Sequence, residues 1–318
     1  MKVARHLREV ARDPNSVVTI GTFDGVHLGH RAIIRKTVAE AQRRGGRSVA
    51  ITFDPHPKEV VASPRGPVAL LSTVDERIQL IGGEGVDLLL VLEFTYEFSR
   101  KDPREFYREY VVGGIGVAEV VVGYDHSFGR DRQGGMEDLL EVGRECGFTV
   151  VRVPPFLVDG VAVSSTAVRN ALAACDTTKA TRLLGRPYSL RGRVVEGDHR
   201  GRSLGYPTAN IEPDVRSKMI PARGVYAVRM TVGTERFGGM MNIGVRPSVA
   251  PNGGEIIEVH LFDASRDLYG AAVEVELIAW LRAERKFGSL EELKSQLADD
   301  RERARGALAG AAHRADKP

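Results

Sequence analysis

Two histidines, His27 and His30, stand three residues apart with Gly29 between them in the stretch TIGTFDGVHLGHRAII (residues 19–34), where an apolar run gives way to a helix-like pattern. The i, i+3 spacing lets both imidazoles project from one face of an opening helical turn. Gly29 would let a ligand approach the backbone, and the first N–H groups of the helix and its dipole favour an anion. A triphosphate answers all three features, because imidazole N–H groups can stabilise charge on a transferring phosphoryl group without bonding to it. On spacing alone the pair reads equally as exposed histidines at a helix start. A zinc site is the weaker reading, since no third ligand of suitable type lies close in sequence.

Other stretches carry polar side chains of the same kind. VSSTAVRNAL offers Ser164, Ser165 and Thr166 at a helix start, with Arg169 one turn later. Such hydroxyls either cap the helix or bind an oxyanion, and the arginine can reach the same ligand. TFDPHP (52–57) ends a strand with Asp54 and His56, and VVGYDHSFGRDRQGG (121–135) places Gly123, Asp125, Phe128 and Gly129 beyond a later one. Each of these reads in isolation as turn chemistry. GRVVEGDHRGRSLGYPTANI (192–211) joins Gly197, Gly201 and Gly205 to an extended Pro207–Thr208–Asn210 segment. Thr208 and Asn210 supply neutral oxygens of the kind that hold Mg2+ together with phosphates, and the glycines let main-chain N–H groups approach a phosphate. No Gly-Lys-Ser/Thr follows, so this is not a Walker loop; without further context it is a Gly-rich hairpin connection. Glu258, opening EVHLF, reads from its pattern as an outward-facing charge on a strand.

The elements that must position these residues fall into two groups. Up to about residue 153, Val- and Ile-rich runs without strict alternation (SVVTI, SVAITF, VDLLLVL, VAEVVV, FTVVRV) alternate with helical patterns. That rhythm predicts a doubly wound α/β domain with a parallel sheet, whose ligands sit beyond the carboxyl ends of the strands. Thr73 and Glu76 make a capping box for DERIQLI, and Pro103 suits the first turn of a helix in DPREFYREYVV. From about 188 to 281, strands separated by Gly- and Pro-rich turns predict a small antiparallel barrel or sandwich, with a boundary near 185–188. A last helix is expected from Ser289, capped by Ser289 and Glu292, with Leu290, Leu293, Leu297 and Leu308 on one face. The residues after 308 are expected to fray.

Composition narrows the function. The 318 residues suit roughly two domains. A net charge of +3 is too small to signal nucleic-acid binding, and 6% aromatics argue against stacking single-stranded bases. Cys146 and Cys175 match no paired or metal-ligand spacing, which points to a reducing, cytoplasmic setting. The N-terminus lacks the apolar core of a signal peptide, and no run approaches the roughly 20 apolar residues of a membrane span. Nothing in the pattern fixes the oligomeric state.

HLGH with a downstream Ser/Thr-rich segment resembles the nucleotidyltransferases marked by a His-x-Gly-His motif. With TFDPHP and VVGYDHSFGRDRQGG in this order, the N-terminal half is similar to the adenylyltransferase module of the bacterial bifunctional riboflavin kinase/FAD synthetase family. GRSLGYPTAN resembles the riboflavin kinase signature G-R-x-L-G-x-P-T-A-N. GVYAV (224–228), MNIGVRPSV (241–249), EVHLFD (258–263) and LRAERKF (281–287) are similar as well, so the resemblance covers nearly the whole chain.

The resemblance implies a Rossmann-like FMN adenylyltransferase domain over 1–185, a riboflavin kinase β-barrel with a C-terminal helix over 186–310, and a disordered tail at 311–318. It implies that riboflavin and ATP give FMN and ADP, and that FMN and ATP give FAD and pyrophosphate, both with Mg2+. Glu258 would be the kinase base, Thr208 and Asn210 the metal residues. ATP phosphates would meet Gly21, Phe23, His27, Gly29, His30, Ser164, Ser165, Thr166 and Arg169 in one half, and Gly201, Gly205 and Pro207 in the other. Asp54, His56, Asp125, Phe128, Arg282 and Phe287 would lie near flavin or nucleotide. Three positions depart from the family: Thr22 stands for a usual Asn, His126 for a Phe, and Ala264 for an aromatic residue. His126 would loosen a wall of the adenylyl site, so a kinase with a weakened adenylyltransferase half is the alternative.

Overall fold

Strands β1 (Lys2–Ala4), β2 (Val17–Ile20), β3 (Ser48–Asp54), β4 (Leu88–Glu93), β5 (Glu119–Gly123) and β6 (Thr149–Val153) form one parallel sheet in the order β1-β4-β3-β2-β5-β6. This is seen in a computed structural model that describes residues 1–61, 69–126, 135–197, 206–245, 255–264 and 267–315. The lack of alternation in the sequence has its reason here: both faces are covered. Val49, Ile51, Leu88, Leu90, Leu92, Val120 and Val122 pack on one side with Phe106, Tyr107 and Leu139. Ala50, Leu89 and Val91 pack on the other with Phe23, Val26, Ile34 and Ile81. β1 was not anticipated; three residues are too few to show a period.

The helices of this half are α1 (Leu28–Arg44), α2 (Pro57–Val60), α3 (Val74–Gly82), α4 (Tyr96–Ser99), α5 (Pro103–Phe106), which runs on as a π-helical stretch through Ile115, and α6 (Met136–Cys146). The capping box of α3 is present: Glu76 N donates to Thr73 Oγ1 at 3.2 Å and Thr73 N to Glu76 Oε2 at 2.8 Å. Asp102 caps α5 just before Pro103. A short hairpin of β7 (Leu157–Val158) and β8 (Val161–Ala162) precedes α7 (Ser165–Ala173) and α8 (Thr177–Leu184).

The chain divides into two compact units, Met1–Ser165 and Thr166–Pro318. Helices α7 and α8 join the second, where Ala222 N donates to Leu172 O and Trp280 N to Thr177 Oγ1. Its strands β9 (Tyr188–Val195), β10 (Ala209–Pro213), β11 (Gly224–Val232), β12 (Glu235–Val245), β13 (Glu255–Leu261) and β14 (Ala272–Arg282) close an antiparallel barrel in the order β10-β13-β12-β11-β14-β9. Leu190, Tyr226, Val228, Met230, Met241, Val259, Val275 and Leu277 alternate inward and are fully or nearly fully buried.

The last helix, α9 (Leu290–Ala315), covers part of the outer wall through Leu297, Ala304 and Leu308. Its cap differs from the expected box. Glu292 N donates to Ser289 Oγ as expected, but the Glu292 carboxylate accepts from Gly288 N rather than from Ser289. Leu290 is exposed, whereas Leu297 and Leu308 pack on the barrel. No helix among the described residues is long and apolar enough to cross a membrane.

Candidate active sites

β2 lies between β3 and β5, so the chain leaves it at the point where the strand order reverses. Ligands of open α/β sheets bind at that edge, and the turn 21–27 occupies it. The turn is conformationally demanding: Phe23, Gly25 and Val26 have φ of 47°, 80° and 38°. The left-handed region is unfavourable for Phe and above all for β-branched Val, so other groups must hold it.

Buried Asp24 accepts on Oδ1 from the amides of Leu71 (2.9 Å) and Ser72 (3.0 Å), while Ser72 Oγ accepts from Gly25 N at 2.7 Å. Ser165 Oγ donates to Asp24 O at 3.0 Å. Arg77, on α3 and only 1% exposed, donates from Nη1 to Thr22 O (2.9 Å), Thr52 Oγ1 (3.1 Å) and Phe53 O (3.0 Å). Burial pulls its pKa down, and the carboxylates of Asp24, Asp54 and Glu59 oppose the shift. Phe23 and Val26 fill the core beneath.

His27 is the N-cap of α1 rather than part of its first turn. Its Nδ1 accepts from His30 N at 3.3 Å, which leaves Nε2 to carry the ring proton. The two imidazoles stack, 3.6 Å between centroids and 18° between planes, and Phe23 meets His30 edge-on at 5.4 Å. Gly29 therefore has a reason internal to the chain: a Cβ there would sit 3.2 Å from the His27 ring and 3.4 Å from Val163 O. The space expected for a ligand is the space that the His27 ring uses. Burial first, and His27 second, hold the His30 pKa well below its ordinary value. His30 is thus a neutral hydrogen-bonding group at neutral pH, and a polyanion alongside would favour its protonated form.

Asp54 closes β3, with its carboxylate 3.9 Å from Arg77 Nη2. His56 is buried and caps α2: Lys58 N donates to its Nδ1 at 3.1 Å, and His56 N donates to Glu59 Oε2 at 3.0 Å. One ring nitrogen is therefore spent on the backbone. Asp125 is exposed in the turn after β5. Beside it His126 Nε2 lies 3.3 Å from Tyr107 Oη, and burial pushes its pKa down to about 4 despite Asp125. A neutral His126 accepts from the Tyr107 hydroxyl, so the departure from phenylalanine has a partner in the wall. Phe128 lies outside the described residues. The ends of β2, β3 and β5 place Gly21, Phe23, Asp54, His56 and Asp125 along one sheet edge. Ser164 and Ser165 end the first unit; Thr166 and Arg169 follow on α7.

The barrel assembles its polar residues differently. Asn210 on β10 is the register partner of Glu258 on β13, which is also the partner of Asn242 on β12. Directly opposed residues share a face, and residues two apart on a strand do too. Thr208, Asn210, Glu258, His260 and Asn242 thus lie on the outer wall, and Glu258 faces a cleft rather than open solvent. The cleft, about 240 Å3, is lined by Thr208, Glu258, His260, Arg282, Phe287 and Asp300 among others. Arg282 donates to both oxygens of the fully buried Asp300 (2.7–3.0 Å), and its guanidinium lies 5.7 Å from the Phe287 ring. Gly197 fits Asn210: a Cβ there would fall 1.8 Å from Asn210 Nδ2. Pro207 O meets His260 Nδ1 at 2.9 Å. Gly201 and Gly205 lie outside the described residues.

Sequence reasoning missed Arg77, Asp24, Asn242, His260 and Asp300. The period of two in Glu-Val-His would have placed His260 beside Glu258; the others carry no local signal. Among the described residues no group of three or more His, Cys, Asp or Glu side chains forms a metal cage. Thr208 and Asn210 oxygens beside one carboxylate instead fit a cation that keeps waters and arrives on phosphates, as Mg2+ does.

The FAD synthetase family model matches residues 9–167, and the riboflavin kinase family model matches 184–308. A bifunctional riboflavin kinase/FMN adenylyltransferase of Pseudomonas fluorescens is 41% identical over 298 residues, 94% of each chain. One from Escherichia coli K12 is 39% identical over 308 residues, 96% of this chain and 97% of that one. A crystal structure from Streptococcus pneumoniae, described as a macrolide-efflux protein, shares 32% identity at a TM-score of 0.85, covering 96% of this chain and 98% of its own.

Proposed function

The chain belongs to the bifunctional riboflavin kinase/FMN adenylyltransferase family, and on that premise we propose that its two reactions run at two separate nucleotide sites, each built within its own unit. The adenylyl site is the turn 21–27 with His27 and His30; the kinase site is the outer barrel wall around Glu258. The register of Asn210 and Asn242 against Glu258, beside Thr208 in one cleft, is the observation that most supports this reading.

In the barrel, Glu258 accepts the proton of the riboflavin 5′-hydroxyl as that oxygen attacks the γ-phosphorus of ATP, and ADP leaves. Thr208 and Asn210 would hold Mg2+ beside the nucleotide phosphates, and the ion would supply charge neutralisation there. Arg282, fixed by Asp300, and Phe287 border the flavin end. In the α/β unit a phosphate oxygen of FMN attacks the α-phosphorus of a second ATP, and pyrophosphate leaves. His27 and His30 donate hydrogen bonds to the charge that develops there, and the amides at the start of α1 face the same anion. Gly21, Phe23 and Gly29 shape the turn, Ser165 pins it, and Asp54, His56 and Asp125 border its rim. The residues given to adenylylation fall within 1–185 and those given to phosphorylation within 186–310, the two domains we assign. The two unpaired cysteines support a cytoplasmic location.

Purified protein supplied with riboflavin, ATP and Mg2+, with products separated by chromatography, tests the assignment. His30→Ala should lower FAD formation about a hundredfold while FMN accumulates. Glu258→Gln should stop FMN formation to a similar degree yet leave supplied FMN convertible to FAD. Loss of both reactions from either substitution in a folded protein overturns the two-site reading.

A further inference from the structure

The β10–β13 ladder is short. It pairs Asn210 with Glu258 and Ala209 with Val259, and goes no further toward Thr208 and Pro207. Pro207 has no N–H to offer a ladder, so its carbonyl is the polar group through which the segment can be tied there. His260 reaches it: Nδ1 lies 2.9 Å from Pro207 O. A carbonyl only accepts, so Nδ1 carries the proton and donates.

The ring is tightly placed. His260 is 8% exposed, meets Tyr206 edge-on at 5.0 Å and lies 5.9 Å from Phe262. Its register partner is Met240, and the rings of Tyr206 and Phe262 flank it in a cleft that also holds Glu258 and Arg282. A purely space-filling residue here would be a phenyl or aliphatic group; a buried imidazole earns its place only through a hydrogen bond. Burial holds its pKa below the ordinary value, with the Pro207 bond opposing.

We infer that His260 is a positioning residue of the phosphorylation site: from β13 its imidazole supplies the rung that the ladder lacks at Pro207, and so fixes Thr208 and Asn210 against Glu258. This rests on the kinase-site assignment. Thr208 is then held between two ties, the His260–Pro207 bond before it and the Ala209–Val259 pair after it. Glu258 and His260 share a strand and a face, so base and tether move together.

The test uses the full chain with His260→Phe, His260→Gln and Glu258→Gln. His260→Phe keeps a ring and loses the donor; His260→Gln keeps a donor. For His260→Phe, kcat of FMN formation should fall about tenfold or more, with the riboflavin KM within about twofold and a higher half-saturating Mg2+ concentration. His260→Gln should recover most of the rate. FAD formation from supplied FMN should be unchanged in both and reports that the α/β unit is intact, while denaturant melts report whether the barrel is folded. Nitrogen-15 spectra of histidine-labelled wild-type protein should show His260 protonated at Nδ1.

Wild-type turnover in His260→Phe, equal loss in the Phe and Gln variants, or a proton on Nε2 instead would each overturn the inference. If His260→Phe proves unfolded, the Gln variant and the ring-proton position decide. Should Glu258→Gln form FMN at the wild-type rate, the kinase-site assignment itself fails; if that variant is inactive while His260→Phe is normal, only the role of His260 fails.

Discussion

In the α/β unit the side chains proposed to act hang on a turn whose backbone enters the left-handed region at Phe23, Gly25 and Val26, and distant residues hold it there: Ser72, Arg77 and Ser165. In the barrel the reactive side chains stand on regular strands, and Asn210, Glu258 and Asn242 face one another because the ladder puts them there. One site depends on remote polar supports, the other on register and close steric fit. The two should therefore fail to different insults.

Arg77→Met is the largest expected effect. It removes the guanidinium that ties Thr22 O to Phe53 O and leaves Thr22 O to the Thr52 hydroxyl; a hydrogen bond from a charged group contributes about 1.5–3 kcal/mol. FAD formation should fall about a hundredfold as the turn shifts by an ångström or so, while FMN formation in the same sample stays within about twofold. Both products are read from one chromatogram. Undiminished FAD formation would show that the turn keeps its shape without remote support, and the contrast between the sites would collapse.

Gly197→Ala is the matching insult to the barrel. No charge or hydrogen bond is removed; a methyl group is placed where the Asn210 amide lies. FMN formation should drop about tenfold, with more Mg2+ needed for half-saturation, and FAD formation from FMN should not change. Titrating Mg2+ at saturating riboflavin measures it. An unaltered Mg2+ dependence would separate Asn210 from the metal.

These two residues also mark what the sequence could disclose. The HLGH and PTAN strings and the strand rhythm pointed to both proposed sites, because the side chains proposed for catalysis and the helix or strand periods are local in the chain. The supports are not local. Arg77 sits in DERIQLI, where an arginine reads as an exposed helix charge; only the packing of α3 against the ends of β2 and β3 buries it. Asp300 reads as one more charge on a highly charged helix, yet it is fully buried against Arg282. Gly197 reads as loop freedom, and its cause is a contact with a residue thirteen positions on. Glu258 reads as an outward charge until the cleft under α9 is seen. Gly29 was legible as a required glycine, but for the wrong neighbour: the ring it accommodates is His27.

The smallest effect concerns the wall proposed for the first site, where His126, in place of the phenylalanine that the resemblance implies, takes the Tyr107 hydroxyl as partner. If that bond compensates for the lost ring, the two positions are coupled. Tyr107→Phe alone should destabilise the α/β unit by about 1 kcal/mol, since it removes the hydroxyl–imidazole hydrogen bond. His126→Phe alone removes the same bond, at a similar cost. The double variant, two rings with no polar group, should be more stable than either single one, and a thermodynamic cycle from denaturant melts gives the coupling.

The acid limb supplies a second reading of the same pair. His126 has its folded-state pKa lowered to about 4, from an ordinary 6.5. Below 6.5 the unfolded chain takes up this proton first, so stability falls as pH drops from 6.5 toward 4, and above 6.5 the contribution is complete. His126→Phe should flatten that part of the pH–stability curve, although the low pKa of His30 keeps some slope in place. Additive single variants with an unchanged acid limb would mean that His126 and Tyr107 do not act on each other. Coupling in both measurements would extend the rule of the first site, support by partners distant in sequence, from the turn to its wall.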